Sequence, residues 1–182
     1  SPMENIISKI SSKILPVVAL AMSLYHLWQV MMPSMDPTVH QDIHLAFALT
    51  LVFLSAMNVK KSDKPGRVLI SQIFSIIFMV FSLVSTIYIY VNFDALVNRA
   101  GRYTSMDTII GVIMILAVLE ATRRTYGLLL PGLVVIAILY GHYGYMLPGL
   151  LHHSGYSWPR LVASVTTYLY GIFGTVLDVS AT

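Results

Sequence analysis

The chain contains several apolar runs of about 20 residues, and this feature constrains its fold more than any other. A helix needs about 20 apolar residues to cross the hydrocarbon core of a bilayer, which is about 30 Å thick. Hydrophobic residues make up 57% of the 182 residues and charged residues only 10%, whereas soluble domains average about 25% charged. Because so few charges cannot cover a soluble surface, the sequence predicts an all-α integral membrane protein.

Five apolar runs predict transmembrane helices, at residues 14–32, 43–59, 68–92, 107–121 and 126–143. The last two belong to one long apolar stretch that contains three charges. A single helix over that stretch would be about 50 Å long, and it would place the charges near the middle of the bilayer, where they are costly. We therefore expect a turn, for which Gly127 has the conformational freedom. Pro131 then falls in the first turns of the following helix, where a missing donor costs least.

The distribution of Lys and Arg predicts that the N-terminus is cytoplasmic. In this orientation the inner side carries Lys9, Lys13, Lys60, Lys61, Lys64, Arg67, Arg123 and Arg124, and the outer side carries Arg99, Arg102 and Arg160. An excess of basic residues on the inner side is the usual arrangement in multi-pass membrane proteins. The fifth span then ends on the outer side.

Residues 157–182 predict an amphipathic helix that lies in the outer interface. Its apolar positions recur at helical spacing: Trp158, Leu161, Val162, Val165 and Leu169. Its polar positions fall on another face: Arg160, Ser164 and Thr167. Trp158 and Tyr168 suit the depth of a membrane interface. The alternative is a sixth, weakly hydrophobic span.

The sequence shows no catalytic constellation, so we expect no enzyme activity. Cysteine is absent, which excludes disulfides and thiolate ligands, and the net charge of +3 is too small to suggest nucleic acid. The six histidines could in principle hold a metal or a haem, and His40 and His44 are four residues apart. Most of them fall at outer helix ends, and no third ligand follows at a recognisable spacing. We therefore expect no cofactor and no metal in this chain.

Four hydroxyl side chains lie on one stripe of the third span: Ser71, Ser75, Ser82 and Thr86. Small hydroxyl residues allow helices to approach closely in lipid. The alternative is a polar lining for a solute path. The first three spans contain no Asp, Glu, Lys or Arg and no broken helix of the kind that holds solute in transporters. The stripe therefore favours helix packing.

Glu120, Arg123 and Arg124 form the most distinctive charged cluster. Both arginines follow the glutamate by three or four residues, so either can pair with it on a helix. One interpretation is a cytoplasmic turn whose arginines contact lipid phosphates. The other is an ion-pair latch that fixes the hairpin or docks a neighbouring domain.

Several short motifs occur together in the C-terminal half of the chain: 99–102, Asp107, Gly111, 118–124 and Gly127, then 140–144, 147–149, 171–174 and 179–182. This combination resembles the N-terminal part of fused permeases of tripartite ATP-independent periplasmic (TRAP) transporters, in the TAXI-associated subfamily. Residues 3–98 resemble it mainly in hydropathy and in the basic loop 60–67. Tyr170 and residues 176–178 depart from the pattern, which usually has Glu and often has Pro-Leu-Gly there.

The resemblance implies a four-helix, small-subunit-like membrane domain at 3–124 and a connecting transmembrane helix at 125–144. It implies that 145–182 is a segment on the periplasmic side that leads into a large transport domain, which would hold the solute and sodium sites. A periplasmic binding protein would deliver the solute, an organic acid. The chain would then be the scaffold part of a sodium-coupled uptake permease in the cytoplasmic membrane of a bacterium or archaeon. The alternatives are a membrane anchor or sensor domain and a haem-binding membrane electron carrier.

Overall fold

The computed structural model describes residues 2–32, 35–58, 66–99 and 102–166, and within these ranges the chain is helical with no strand. The α-helices are α1 (Pro2–Met31), α2 (Pro37–Ala56), α3 (Arg67–Val91), α4 (Phe93–Asn98), α5 (Ser105–Tyr126), α6 (Leu129–Tyr143) and α7 (Trp158–Thr166). Two short 3-10 helices, Gly144–Met146 and Gly149–Leu151, connect α6 to α7. The short helix α4, between α3 and α5, was not predicted.

Five helical segments are long and apolar enough to cross a membrane, which agrees with the five predicted spans. They are α1, α2, α3, α5, and α6 together with the 3-10 helix that follows it, Leu129–Met146. Their bounds differ most from the prediction at α1, α2 and α5. Helix α1 begins at Pro2 and continues through Pro16, as membrane helices can when neighbouring groups satisfy the freed carbonyl. Helix α5 ends at Tyr126 and not at 121. The Glu120 cluster therefore lies in its last turns and not in a loop.

Helix α2 begins six residues earlier than the predicted span, at Pro37 instead of 43. The Asp36 carboxylate caps it by accepting a hydrogen bond from the backbone N–H of Thr38 at 2.8 Å, and proline is favoured at a first helical position. The early start places Asp42 inside the helix, where it is buried. The expectation that the second span contains no acidic residue is therefore wrong.

The turn between α5 and α6 forms where the sequence predicts it. Gly127 follows the last residue of α5 and has a φ of 81°, a conformation that glycine adopts at little cost. Pro131 lies in the first turn of α6, where its missing N–H breaks no hydrogen bond within the helix. The Arg123 carbonyl accepts a hydrogen bond from the Gly127 N–H at 3.0 Å.

Helices α1, α2, α3 and α5 pack into a bundle, with α2 between α1 and α3. The apolar core includes Leu49 and Phe53 of α2 and Met114 of α5. We call the end where α2 and α5 finish the arginine end, because it contains Arg123 and Arg124. We call the opposite end, where α2 and α5 begin, the histidine end, because it contains His40 and His44.

Helix α6 lies beside this bundle and packs mainly on α5 and on the segment that follows it. Pro131 is its one buried residue. Large apolar side chains along the whole helix are exposed, among them Leu133, Ile136 and Leu139. Helix α6 therefore presents an apolar surface that the described residues leave uncovered.

Helix α7 is amphipathic, as predicted, over the nine residues that the structure describes. Val162 is buried, whereas Arg160 and Ser164 are exposed. Positions 167–182, which include Tyr168, Leu169, Tyr170 and the two terminal motifs, lie outside the described residues. Close approach of α7 depends on Gly111 of α5, because a Cβ atom there would lie 2.6 Å from the Val162 Cγ1 atom.

Substitution of Gly111 by Ala should therefore loosen α7 from α5. The added methyl group also meets the Thr166 hydroxyl at 2.8 Å, and such overpacking costs about 1–3 kcal/mol. The matched control is Gly132→Ala in α6, where a Cβ atom meets nothing within 4 Å. Thermal unfolding in detergent should show a lower Tm for G111A and an equal or higher Tm for G132A. Equal Tm values for the two variants would contradict this packing.

Candidate functional site

The charged cluster predicted from the sequence forms at the end of α5. Glu120 accepts two hydrogen bonds from Arg123, at 2.7 Å from Nε and 2.9 Å from Nη2. It accepts a third from Nε of Arg124 at 2.7 Å. One carboxylate therefore binds both arginines, and the bidentate geometry is the strong form of this pairing.

The two arginines differ in their surroundings. The Arg123 side chain is 47% exposed, whereas that of Arg124 is 10% exposed and that of Glu120 is 17% exposed. Arg124 also donates a hydrogen bond from Nη1 to the Ser75 hydroxyl of α3. Its guanidinium lies 5.7 Å from the ring centroid of Phe53 in α2, within the range of a cation–π contact. Arg124 thus connects three helices, whereas the hydrogen bonds of Arg123 to Glu120 lie within α5.

An open cavity of about 680 Å³ lies beside this cluster, between the end of α2, α3 and α5. Its polar lining includes Ser55, Asn58 and Ser71 as well as the two arginines. The cavity lies at the arginine end, where about half of the Arg123 side chain is exposed. The cluster can therefore act as a structural latch and can still contact an anion.

The hydroxyl stripe of α3 lies partly inside the bundle. Ser75, Ser82 and Thr86 are buried, whereas Ser71 is exposed. The Ser82 hydroxyl donates to the Met79 carbonyl of the same helix at 2.8 Å. The Thr86 hydroxyl donates to the carbonyls of Ser82 at 3.1 Å and of Leu83 at 3.0 Å. Ser75 does the same to Ser71 at 2.8 Å and also accepts from Arg124. These hydroxyls are satisfied locally, and their small size allows close packing.

Gln72 is a buried residue of α3 that the sequence analysis did not identify. Its Nε2 donates to the backbone carbonyl of Glu4 in α1 at 3.0 Å and to that of Met57 after α2 at 2.9 Å. One amide group therefore joins three helices at the arginine end. No local pattern in the sequence indicates these contacts, because both partners lie on other segments of the chain.

Asp107 joins α3 to α5 at the histidine end. Its Oδ1 accepts from the Tyr88 hydroxyl at 2.7 Å and from Nη2 of Arg99 at 2.9 Å. Its Oδ2 accepts from the backbone N–H of Thr104, whose hydroxyl accepts in turn from the Asp107 N–H. This reciprocal pair is a capping box that starts α5.

All six histidines have hydrogen-bond partners. His26 and His44 face each other at 2.9 Å between α1 and α2, and His40 contacts the Tyr25 hydroxyl at 2.8 Å. The other three contact backbone carbonyls of the segment around the 3-10 helices: His142, His152 and His153. Within the described ranges, no group of three or more His, Asp or Glu residues has the geometry of a metal site.

No protein-family model, no curated protein and no solved structure matches this chain. Its function must therefore be argued from the contacts above. These contacts join α1, α2, α3 and α5 through polar groups at both ends of the bundle. Such an arrangement can hold helices at fixed positions.

The structure predicts that the two arginines contribute unequally to stability. Arg124→Ala removes bonds to Glu120 and Ser75 and a ring contact, while Glu120 retains Arg123. Since a hydrogen bond to a charged group contributes about 1.5–3 kcal/mol, we expect a loss of at least about 2 kcal/mol. Arg123→Ala removes one exposed pair, for which the loss is about 0–1 kcal/mol. Chemical unfolding in mixed micelles measures both variants. An equal loss for the two variants would contradict a latch centred on Arg124.

Proposed function

We propose that this chain is the scaffold part of a sodium-coupled, binding-protein-dependent uptake permease of the TRAP type, located in the cytoplasmic membrane of a bacterium or archaeon. Its partners are the lipid bilayer, a large transport domain of the same permease and a periplasmic protein that delivers an organic acid. The observation that carries this proposal is helix α6, whose apolar surface is almost completely exposed.

Helix α6 suits the role of a connecting helix. Together with the 3-10 helix that follows it, α6 is long and apolar enough to cross a membrane, and it packs mainly on α5 of the bundle. A helix that belonged to a self-contained bundle would bury a stripe of its surface on several neighbours. The remaining surface of α6 is available to lipid and to a second membrane domain, as the resemblance to fused permeases implies.

The polar contacts inside the bundle support a scaffold role. Asp107, Glu120 and Arg124 each bind a side chain of opposite charge or a polar group of another helix. Groups that bind solute or ions in transporters are found instead at broken helices near the middle of the membrane. Helix α2 and helix α3 are continuous over their full described lengths.

In this proposal the arginine end faces the cytoplasm, and α7 lies near the outer interface. The exposed basic residues Lys9, Lys13 and Arg67 belong to the arginine end, in keeping with the excess of positive charge on the inner side. Trp158 stacks on His142 at 4.1 Å between ring centroids, at the opposite end. Aromatic side chains are enriched at that depth.

Single cysteines should reveal this orientation, since the natural chain contains no cysteine. We expect an impermeant maleimide to label Asp94→Cys in right-side-out cells and to label Tyr126→Cys only after the membrane is opened. Both positions are exposed and lie at opposite ends of the bundle. Labelling of Tyr126→Cys in intact cells would contradict the orientation.

Reconstituted alone in liposomes, the chain should give no sodium-dependent uptake of organic acids, with or without a binding protein. The complete permease with its binding protein should give saturable uptake that requires an inward sodium gradient. Saturable uptake by the 182 residues alone would show that they form a transport domain. Failure of the complete protein to transport any organic acid would contradict the proposed permease.

A further inference from the structure

An apolar cavity of about 470 Å³ lies between α1, α2 and α3 near the histidine end. Sites for small molecules and cofactors have volumes of about 300–1,000 Å³. The cavity follows α2 from Asp42 to Thr50 and α3 from Tyr90 to Leu83. At a helical rise of 1.5 Å per residue, its length is about 12 Å. It is an elongated slot that runs parallel to the helices from one end of the bundle towards the middle.

Asp42 is the one acidic or basic side chain among the residues that line this slot. The residue is 1% exposed, and its Oδ1 atom has no hydrogen-bond partner in the part of the chain that the structure describes. The two carboxylates that the structure pairs with arginine, Asp107 and Glu120, have several donors each. Burial of a charged carboxylate without a donor is costly, so Asp42 is charged at low cost only when another molecule supplies a donor.

We propose that this slot binds a phospholipid of the outer leaflet whose head group carries a primary ammonium. The ammonium donates a hydrogen bond to Asp42, and one acyl chain occupies the apolar slot beside Phe47 and Leu83. The outer leaflet rests on the orientation in the proposed function, whereas the lipid preference can be measured whether or not the protein takes part in transport.

Charge and position select this occupant. Asp42 lies in the second turn of α2, close to the end where head groups would be, and the slot continues from it into the hydrocarbon depth. A primary ammonium offers three donors and a positive charge to a carboxylate. A quaternary choline head group has no N–H donor, and the net negative charge of a phosphatidylglycerol is repelled by Asp42. Tyr90, exposed at the same level, suits the interface.

Native mass spectrometry of the purified chain in detergent tests the proposal with three lipids that share the same acyl chains. We expect phosphatidylethanolamine to bind about tenfold more tightly than phosphatidylcholine or phosphatidylglycerol, since a hydrogen bond to a charged group contributes about 1.5–3 kcal/mol. Asp42→Asn should remove this preference. The control Asp94→Asn removes the same charge from an exposed site at the same end, and it should leave the lipid preference unchanged.

Leu83→Trp fills the slot without altering Asp42, and it should weaken binding of phosphatidylethanolamine about tenfold or more. This second variant keeps the test decisive if Asp42→Asn is poorly folded. Equal affinity for the three lipids in the natural chain would overturn the proposal. So would a preference for phosphatidylglycerol, or an ethanolamine preference that survives both Asp42→Asn and Leu83→Trp.

Discussion

A polar side chain that is buried in a membrane helix bundle has no water to bind, so its hydrogen bonds must come from its own helix or from neighbouring helices. This constraint explains the arrangement of α1, α2, α3 and α5. Apolar burial offers little net attraction between helices in lipid, whereas the Gln72 amide reaches backbone carbonyls on two other segments. A small number of such groups therefore fixes the relative positions of the helices.

The polar contacts are concentrated at the two ends of the bundle. At the arginine end, Gln72 and Arg124 join α3 to its neighbours, and at the histidine end Asp107 does so. Between the ends, the small side chains of α3 are satisfied by their own helix and permit close packing. Within the described residues, helix α6 contributes none of the polar contacts that join the helices of this bundle.

The sequence predicted the five apolar helices, the turn at Gly127 and the pairing of Glu120 with the arginines, because each depends on residues close together in the chain. The contacts of Gln72 and Tyr88 join helices distant in sequence, and no local pattern indicates them. The sequence analysis placed Asp42 outside the second span because hydropathy shows only where the apolar residues begin. The helix itself begins earlier, after the N-cap Asp36. The Ser71 position was assigned from spacing alone, and Ser71 is exposed because it lines the open cavity beside the arginine cluster.

The central claim is that specific polar bonds hold these helices together. A double-mutant cycle over Tyr88→Phe and Asp107→Ala isolates the bond between α3 and α5, because the contacts of Asp107 with Arg99 and Thr104 cancel in the cycle. Unfolding free energies in mixed micelles should give a coupling of about 1 kcal/mol, within the range for hydrogen bonds between membrane helices. A coupling indistinguishable from zero would show that apolar packing alone sets the positions of α3 and α5.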